Sequence, residues 1–300
     1  MGHEMCGTVT EVGKEVSGVS VGQRVAVNPA MDDRHHGTAQ CKACISGRHN
    51  ICNRVTFYGL NANGGGFSDE IAVKPLALVP LPENVPLKLA GLAEPLAVAA
   101  HMIRISGFRK GDSAVVLGAG PIGCALTFLL KHKGASKILV SEIAASRAEQ
   151  AASFGADKVV NPQANSESSN PVISAVHELI DEDGADISFD ACGIQATLDT
   201  AIACTRPGGT VFNVAIHERP LSLQLNSISL SEKKLTGGIC YTKADFEEVV
   251  QILSERGEEA EKLITSVVPL ANVIDGGFKE LINNTANHVK ILIEVNGEEN

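Results

Sequence analysis

No long run of lysine or arginine occurs in the 300 residues, and 25 Lys and Arg stand against 35 Asp and Glu, a formal charge of −10. Binding to a phosphate backbone depends on clustered positive charge, so nucleic acid is not an expected partner. The opening MGHEMCGTVTEVG lacks the basic segment followed by an apolar stretch that marks a secretory signal. Internal repeats and long low-complexity segments are also missing. One window reaches the lower edge of membrane-spanning length, residues 113–130, eighteen residues without a charge. Three glycines and a proline interrupt it and a β-branched run opens it, so strand, turn and buried helix are expected rather than a span. What is present is ordinary: 44% apolar and 20% charged residues allow a sizeable core and exclude dominant disorder. The length suggests two domains or one large one.

The first ninety residues read as a small β-rich domain, with strands over TVTEV (8–12), QRVAV (23–27) and FSDEIAV (67–73) around a Cys/His-rich loop. Residues 87–105 lose turn residues and gain helix formers, which predicts a helical bridge. From Ser113 strands and helices alternate: SAVVL, a helix through Leu130, KILVS, AASRAEQAASF, KVV, PVISAVHELI, ISFD, TLDTAIAC, TVFNV, KLTGGI and ADFEEVVQILSE. Six strands joined mostly by crossover helices predict an α/β doubly wound parallel Rossmann sheet. The final HVKILIEV reads as a strand returning to the first domain. Expected boundaries are 1–95, 96–263 and 264–300, with a surface loop over Gln163 to Asn170.

Gly118, Gly120 and Gly123, with Pro121 between them, follow the strand AVVL and open an apolar helix. Glycine is needed there because the backbone turns tightly, a pyrophosphate approaches it closely, and helix and strand pack together. The helix N-terminus then offers free N–H groups to the phosphates. Glu142 closes the next strand, where a carboxylate can accept from adenosine ribose hydroxyls and repel a 2′-phosphate, so NAD is favoured over NADP. Arg147 complicates this, since a guanidinium can bind that phosphate or stack on the adenine.

Cysteines stand at 6, 41, 44, 52, 124, 192, 204 and 240, three of them within twelve residues. That spacing suggests a metal knuckle in a reducing compartment, hence a cytoplasmic protein, rather than a disulfide scaffold. At the start stand Gly2, His3 and Glu4, followed by Gly7 and Gly13.

Together these features resemble the zinc-containing medium-chain alcohol dehydrogenases, and GHEMCGTVTEVGKEV follows that family's signature glycine for glycine. The resemblance covers essentially the whole chain. AEPLAVAAH, VLGAGPIG, FDACG and GGICYTKADFEEV are most similar to the sorbitol and 2,3-butanediol dehydrogenase branch. The resemblance implies a Rossmann domain beside a smaller, N-terminally incomplete GroES-like catalytic domain. It also implies zinc and NAD as cofactors, a diol or polyol as substrate, and a homo-oligomer. His3, Glu4 and Glu94 match the catalytic zinc positions. Cys41, Cys44 and Cys52 match the last three positions of a four-cysteine structural zinc lobe, whose first position is Thr38 here. A closed site needs four ligands, so Asp33, His35 or His36 is left to supply the fourth.

Ile122, Cys192, Gly193, Val214, Ala215, Ile239, Cys240 and Tyr241 follow strand ends and match positions that face NAD in related dehydrogenases. The family's first catalytic ligand is a cysteine upstream of GHE, and this chain begins two residues before His3. Cys6 is a poor substitute, because consecutive strand residues do not all point into one site. The expected activity is zinc-dependent transfer of hydride from a secondary alcohol of a diol or polyol to NAD. The alternatives are a truncated, catalytically impaired NAD-binding homologue and a zinc-independent NADPH reductase of the quinone type. His3, Glu4 and Glu142 speak against the last.

Overall fold

The computed structural model describes residues 1–164 and 170–297, so most of the expected loop over 163–170 lies outside the described residues. The chain divides into two compact units, Met1–Val98 with Cys240–Asn300, and Ala99–Ile239.

The first unit contains β1 (Met5–Thr8), β2 (Arg24–Val27), β3 (Ala30–Met31), β4 (Thr56–Phe57) and β5 (Leu78–Pro80). β1, β2 and β5 form an antiparallel sheet, and β3 pairs with β4. The first strand was expected over 8–12, but it runs three residues earlier. Its partner sets this: Met5 pairs with Val27 and Thr8 with Arg24, where β2 begins. The expected strand FSDEIAV forms no strand: Phe67–Asp69 bend, and Phe67 donates its N–H to the Met1 carbonyl at 3.0 Å. Its alternation reflects burial alone, since Ile71 and Val73 pack on a core of Met5, Val27, Tyr58 and Ala77. The predicted helix over 87–105 is two helices, Leu87–Ala90 and Ala93–Ser106, separated at Gly91.

The second unit holds a six-stranded parallel sheet. Its strands are β6 (Ala114–Leu117), β7 (Ile138–Ser141), β8 (Lys158–Val160), β9 (Ala185–Asp190), β10 (Thr205–Asn213) and β11 (Lys234–Gly237). Their spatial order is β11-β10-β9-β6-β7-β8. The chain winds outward from β6 to β8, then returns to β9 on the other side of β6. This reversal makes the carboxyl ends of β6 and β9 the switch point where such sheets bind ligands. Strand β10 starts five residues before the expected TVFNV, and its register against β9 shifts between Thr205 and Thr210. The apolar window 113–130 is strand β6, a glycine turn and the buried helix Pro121–His132. Among the described residues no helix is long and apolar enough to cross a membrane.

The helix expected over ADFEEVVQILSE runs from Lys243 to Glu261, with a break in helical backbone at Arg256. The sequence reading ended the nucleotide domain at 263, whereas the compact unit ends at Ile239. The helix lies with the first unit because Asn84 and Ser254 exchange hydrogen bonds and Lys88 pairs with Glu261 at 2.8 Å. The tail contributes β12 (Ile264–Pro269) and β13 (Lys290–Glu294), which pair in parallel.

Candidate functional site

The structure brings His3, Glu4 and Glu94 together: one ligand atom from each lies within 4.8 Å of the others. His3 and Glu4 are the two residues before β1, and Glu94 sits in the first turn of the helix Ala93–Ser106. His3 Nε2 stands 3.9 Å from Glu94 Oε1. Burial, and then the nearby Lys290 ammonium, hold the His3 imidazole below the ordinary histidine range, so it is a neutral donor at neutral pH. Burial raises the Glu94 carboxyl to about 7, against a contact with Tyr241 that lowers it. Glu4 forms an ion pair with Lys290 of β13. That lysine is itself half-buried, and the loss of water around it brings it down to about 8. Lys290 is a member of the site that sequence reasoning missed, because 286 residues separate it from Glu4 and only the strand HVKILIEV hinted at a return.

One imidazole and two carboxylates suit a zinc ion with three protein ligands and an exchangeable fourth position. Cys6 takes no part. Its thiol donates to the Leu87 carbonyl at 3.1 Å, and burial pushes it up to about 12.

A second group of donors is Asp33, Cys41, Cys44 and Cys52, again with ligand atoms within 4.8 Å of one another. Asp33 therefore fills the fourth position that the sequence left open. His35 accepts the Asp32 N–H at 3.1 Å instead, and His36 meets the Arg54 carbonyl at 3.0 Å. The Asp33 side chain is fully buried. It accepts the Cys41 N–H at 2.6 Å and the Arg54 Nε–H at 2.7 Å. The Cys41 amide above all holds this carboxyl well below the aspartate range, overcoming the opposing effect of burial. Backbone amides of Asn53 and Cys44 lower the Cys41 thiol, whereas burial pushes Cys44 up to about 12. Three sulfurs and a carboxylate, oriented by Arg54 and backbone N–H groups, fit a closed tetrahedral zinc site. Arg54 was not foreseen, since its role depends on the fold of the lobe.

In the second unit the glycine turn follows β6. Gly118 has φ +98°, and a Cβ there would stand 2.4 Å from Cys192 Sγ. A Cβ on Gly120 would meet nothing within 4 Å, so its face of the turn is open. At Gly123 a Cβ would fall 1.9 Å from the Gly118 carbonyl oxygen. Pro121 occupies the first turn of the following helix, where its missing N–H costs nothing. This cradle, open at Gly120 and backed by a twelve-residue helix, fits a pyrophosphate.

Glu142 is turned toward the glycine turn. Its carboxylate accepts N–H groups from Ala119 at 2.7 Å, Ile143 at 2.9 Å and Ala144 at 2.8 Å. A carboxylate has about four acceptor sites, so little capacity remains for a ribose hydroxyl. The Arg147 charge reaches the same turn, where it opposes the burial-driven rise of the Cys124 and Cys192 thiols. Ile122, Cys192, Gly193, Val214 and Ala215 lie at the carboxyl ends of β6, β9 and β10, and Ile239 follows β11. The Asp190 carboxylate fixes the turn after β9 by accepting N–H groups of Cys192 and Gly193 at 3.0 and 3.1 Å. Cys240 and Tyr241 belong to the other unit. Tyr241 was expected to line the cofactor, yet it is 2% exposed and packs against Phe246 with its hydroxyl toward Glu94.

Comparison with known proteins agrees with this geometry. Residues 1–83 match the alcohol dehydrogenase GroES-like domain and residues 121–255 the zinc-binding dehydrogenase domain. The (R,R)-butanediol dehydrogenase of Saccharomyces cerevisiae is 39% identical over 309 aligned positions, covering 99% of this chain and 80% of that one. The chain belongs to the zinc-binding alcohol dehydrogenase family. The crystal structure of Bacillus subtilis 2R,3R-butanediol dehydrogenase superimposes with a TM-score of 0.88 at 33% identity, over 98% of this chain and 80% of that one. An Escherichia coli CFT073 alcohol dehydrogenase complexed with NADH is 26% identical, with a TM-score of 0.85 over 97% and 82% of the two chains. Family membership makes the chain an oxidoreductase with a Rossmann-like sheet and a GroES-like domain.

Proposed function

We propose that this zinc-binding dehydrogenase oxidises a secondary alcohol of a vicinal diol or polyol, of the 2,3-butanediol or sorbitol type, with NAD as hydride acceptor. The convergence of His3, Glu4 and Glu94 into one small donor group carries this reading. When bound there, zinc supplies Lewis-acid polarisation of an alcohol oxygen. The chain's own part begins with the neutral His3 imidazole, which offers a lone pair without first losing a proton. Glu94, raised to about 7, carries a proton for much of the time near neutrality and releases it when a cation takes the site. Lys290 anchors Glu4 and compensates one negative charge of the pair of carboxylates. The glycine turn and the N-terminus of the helix Pro121–His132 bind and orient the dinucleotide phosphates.

Butanediol dehydrogenases among the relatives support the substrate class, and the NADH-bound relative supports the coenzyme. The negative charge of Glu142, which follows β7, supports NAD as well, because it would repel a 2′-phosphate even with its oxygens held by backbone N–H groups. The lobe needs reduced thiols, which supports a cytoplasmic setting.

Initial rates with the stereoisomers of 2,3-butanediol, sorbitol and xylitol, each with NAD and NADP, test the proposal. The expected result is a higher kcat/KM with NAD by at least about tenfold, equivalent to about 1.4 kcal/mol, and turnover of at least one vicinal diol. A preference for NADP would refute the coenzyme assignment, and turnover of simple alcohols alone would refute the substrate class.

A further inference from the structure

Tyr241 sits beside the His3 site without being one of its donors. Three features fix its place. Cys240 before it adopts a left-handed backbone, φ 56°, which turns the following residue inward. Thr242 after it caps the helix Lys243–Glu261, with Asp245 accepting both the Thr242 N–H and hydroxyl at 2.7 Å. The Tyr241 ring meets Phe246 of that helix edge-on, with centroids 4.9 Å apart at 78°. The side chain is buried.

Its hydroxyl lies within reach of the Glu94 carboxyl. It completes no hydrogen bond of good geometry there, or to any other described group. Buried hydroxyls are rarely left this way, because water has been lost and nothing replaces it. A phenol keeps its proton at neutral pH, so the hydroxyl is an unsatisfied donor beside the carboxylate.

We propose that Tyr241 is the positioning residue for Glu94, its hydroxyl donating to the carboxylate and limiting it to the orientation in which it joins His3 and Glu4 around a cation. This rests on the reading that His3, Glu4 and Glu94 hold zinc. Outer-shell donors of this kind orient metal ligands, and their loss costs about 10- to 100-fold in affinity. Tyr241 acts through Glu94 and touches no reacting atom.

Tyr241→Phe removes the hydroxyl and keeps the ring on Phe246. Zinc affinity is measured on the full chain by chelator competition, with one zinc expected for each of the two donor groups. His3→Ala identifies which of the two belongs to the His3 site. Tyr241→Phe is expected to weaken that zinc by about tenfold or more, to leave the lobe zinc unchanged, and to keep or raise the melting temperature of the zinc-free protein. Wild-type affinity at the His3 site in Tyr241→Phe overturns the proposal. Loss of both zincs with a lower zinc-free melting temperature also overturns it, since Tyr241 then serves only the fold. If His3→Ala retains as much zinc as wild type, the reading of the His3 site fails and this inference falls with it.

Discussion

Gly123→Ala is expected to abolish binding of the dinucleotide while leaving both zinc sites filled. The added Cβ would fall 1.9 Å from the carbonyl oxygen of Gly118, a backbone atom that cannot swing aside. Accommodating it means opening the turn between β6 and the helix Pro121–His132, which moves the N–H groups that cradle the pyrophosphate. Titration with NADH, followed by nucleotide fluorescence, should show a loss of at least about 100-fold, or about 2.8 kcal/mol. Gly120→Ala is a useful companion. Its Cβ would meet no protein atom, so the fold should tolerate it and any loss of binding would report contact with the ligand alone. Wild-type NADH binding in Gly123→Ala would mean that the turn is not the phosphate cradle.

The second large effect is expected in the lobe. Asp33→Asn preserves shape but removes the charge that completes the donor set of three sulfurs and one carboxylate. A neutral amide is a poor zinc ligand, and the Arg54 guanidinium would lose the anion it meets at 2.7 Å. Loss of a direct ligand should exceed the upper end of outer-shell effects, so the lobe zinc should weaken by more than about 100-fold. Chelator competition reads this directly. Cys44→Ser should do the same, whereas His35→Ala and His36→Ala should spare the lobe zinc, because those rings bond elsewhere. Retention of the lobe zinc by Asp33→Asn would place the fourth ligand outside the protein side chains.

How much of this was legible in the sequence depended on whether a signal was local. The six parallel strands were, because each is a short apolar run bounded by turn residues and followed by a helical pattern. The glycine turn was legible too, since its demands fall on residues three apart in the chain. FSDEIAV misled because alternation reports a half-buried face, which Ile71 and Val73 gain by packing on Met5 and Val27 without pairing with a strand. The Cys lobe was half legible. Cysteine spacing marked it, but the choice among Asp33, His35 and His36 depends on how DDRHHG turns, and that turn is set by Asp32 accepting the Arg34 N–H at 2.8 Å. Lys290 and Tyr241 were not recognised as parts of the His3 site. Both enter it from far along the chain, and neither residue type announces a role until its neighbours are known.

The central claim is that His3, Glu4 and Glu94 make a metal centre that serves alcohol oxidation. It is tested most directly by stripping the protein of metal, restoring zinc stepwise, and following NADH formation from a panel of vicinal diols in wild type and His3→Ala. The account predicts turnover that is absent without zinc, returns as the His3 site fills, and never returns in His3→Ala. Wild-type protein with both zinc sites filled and NAD bound that turns over no diol would contradict it, as would equal turnover with and without zinc.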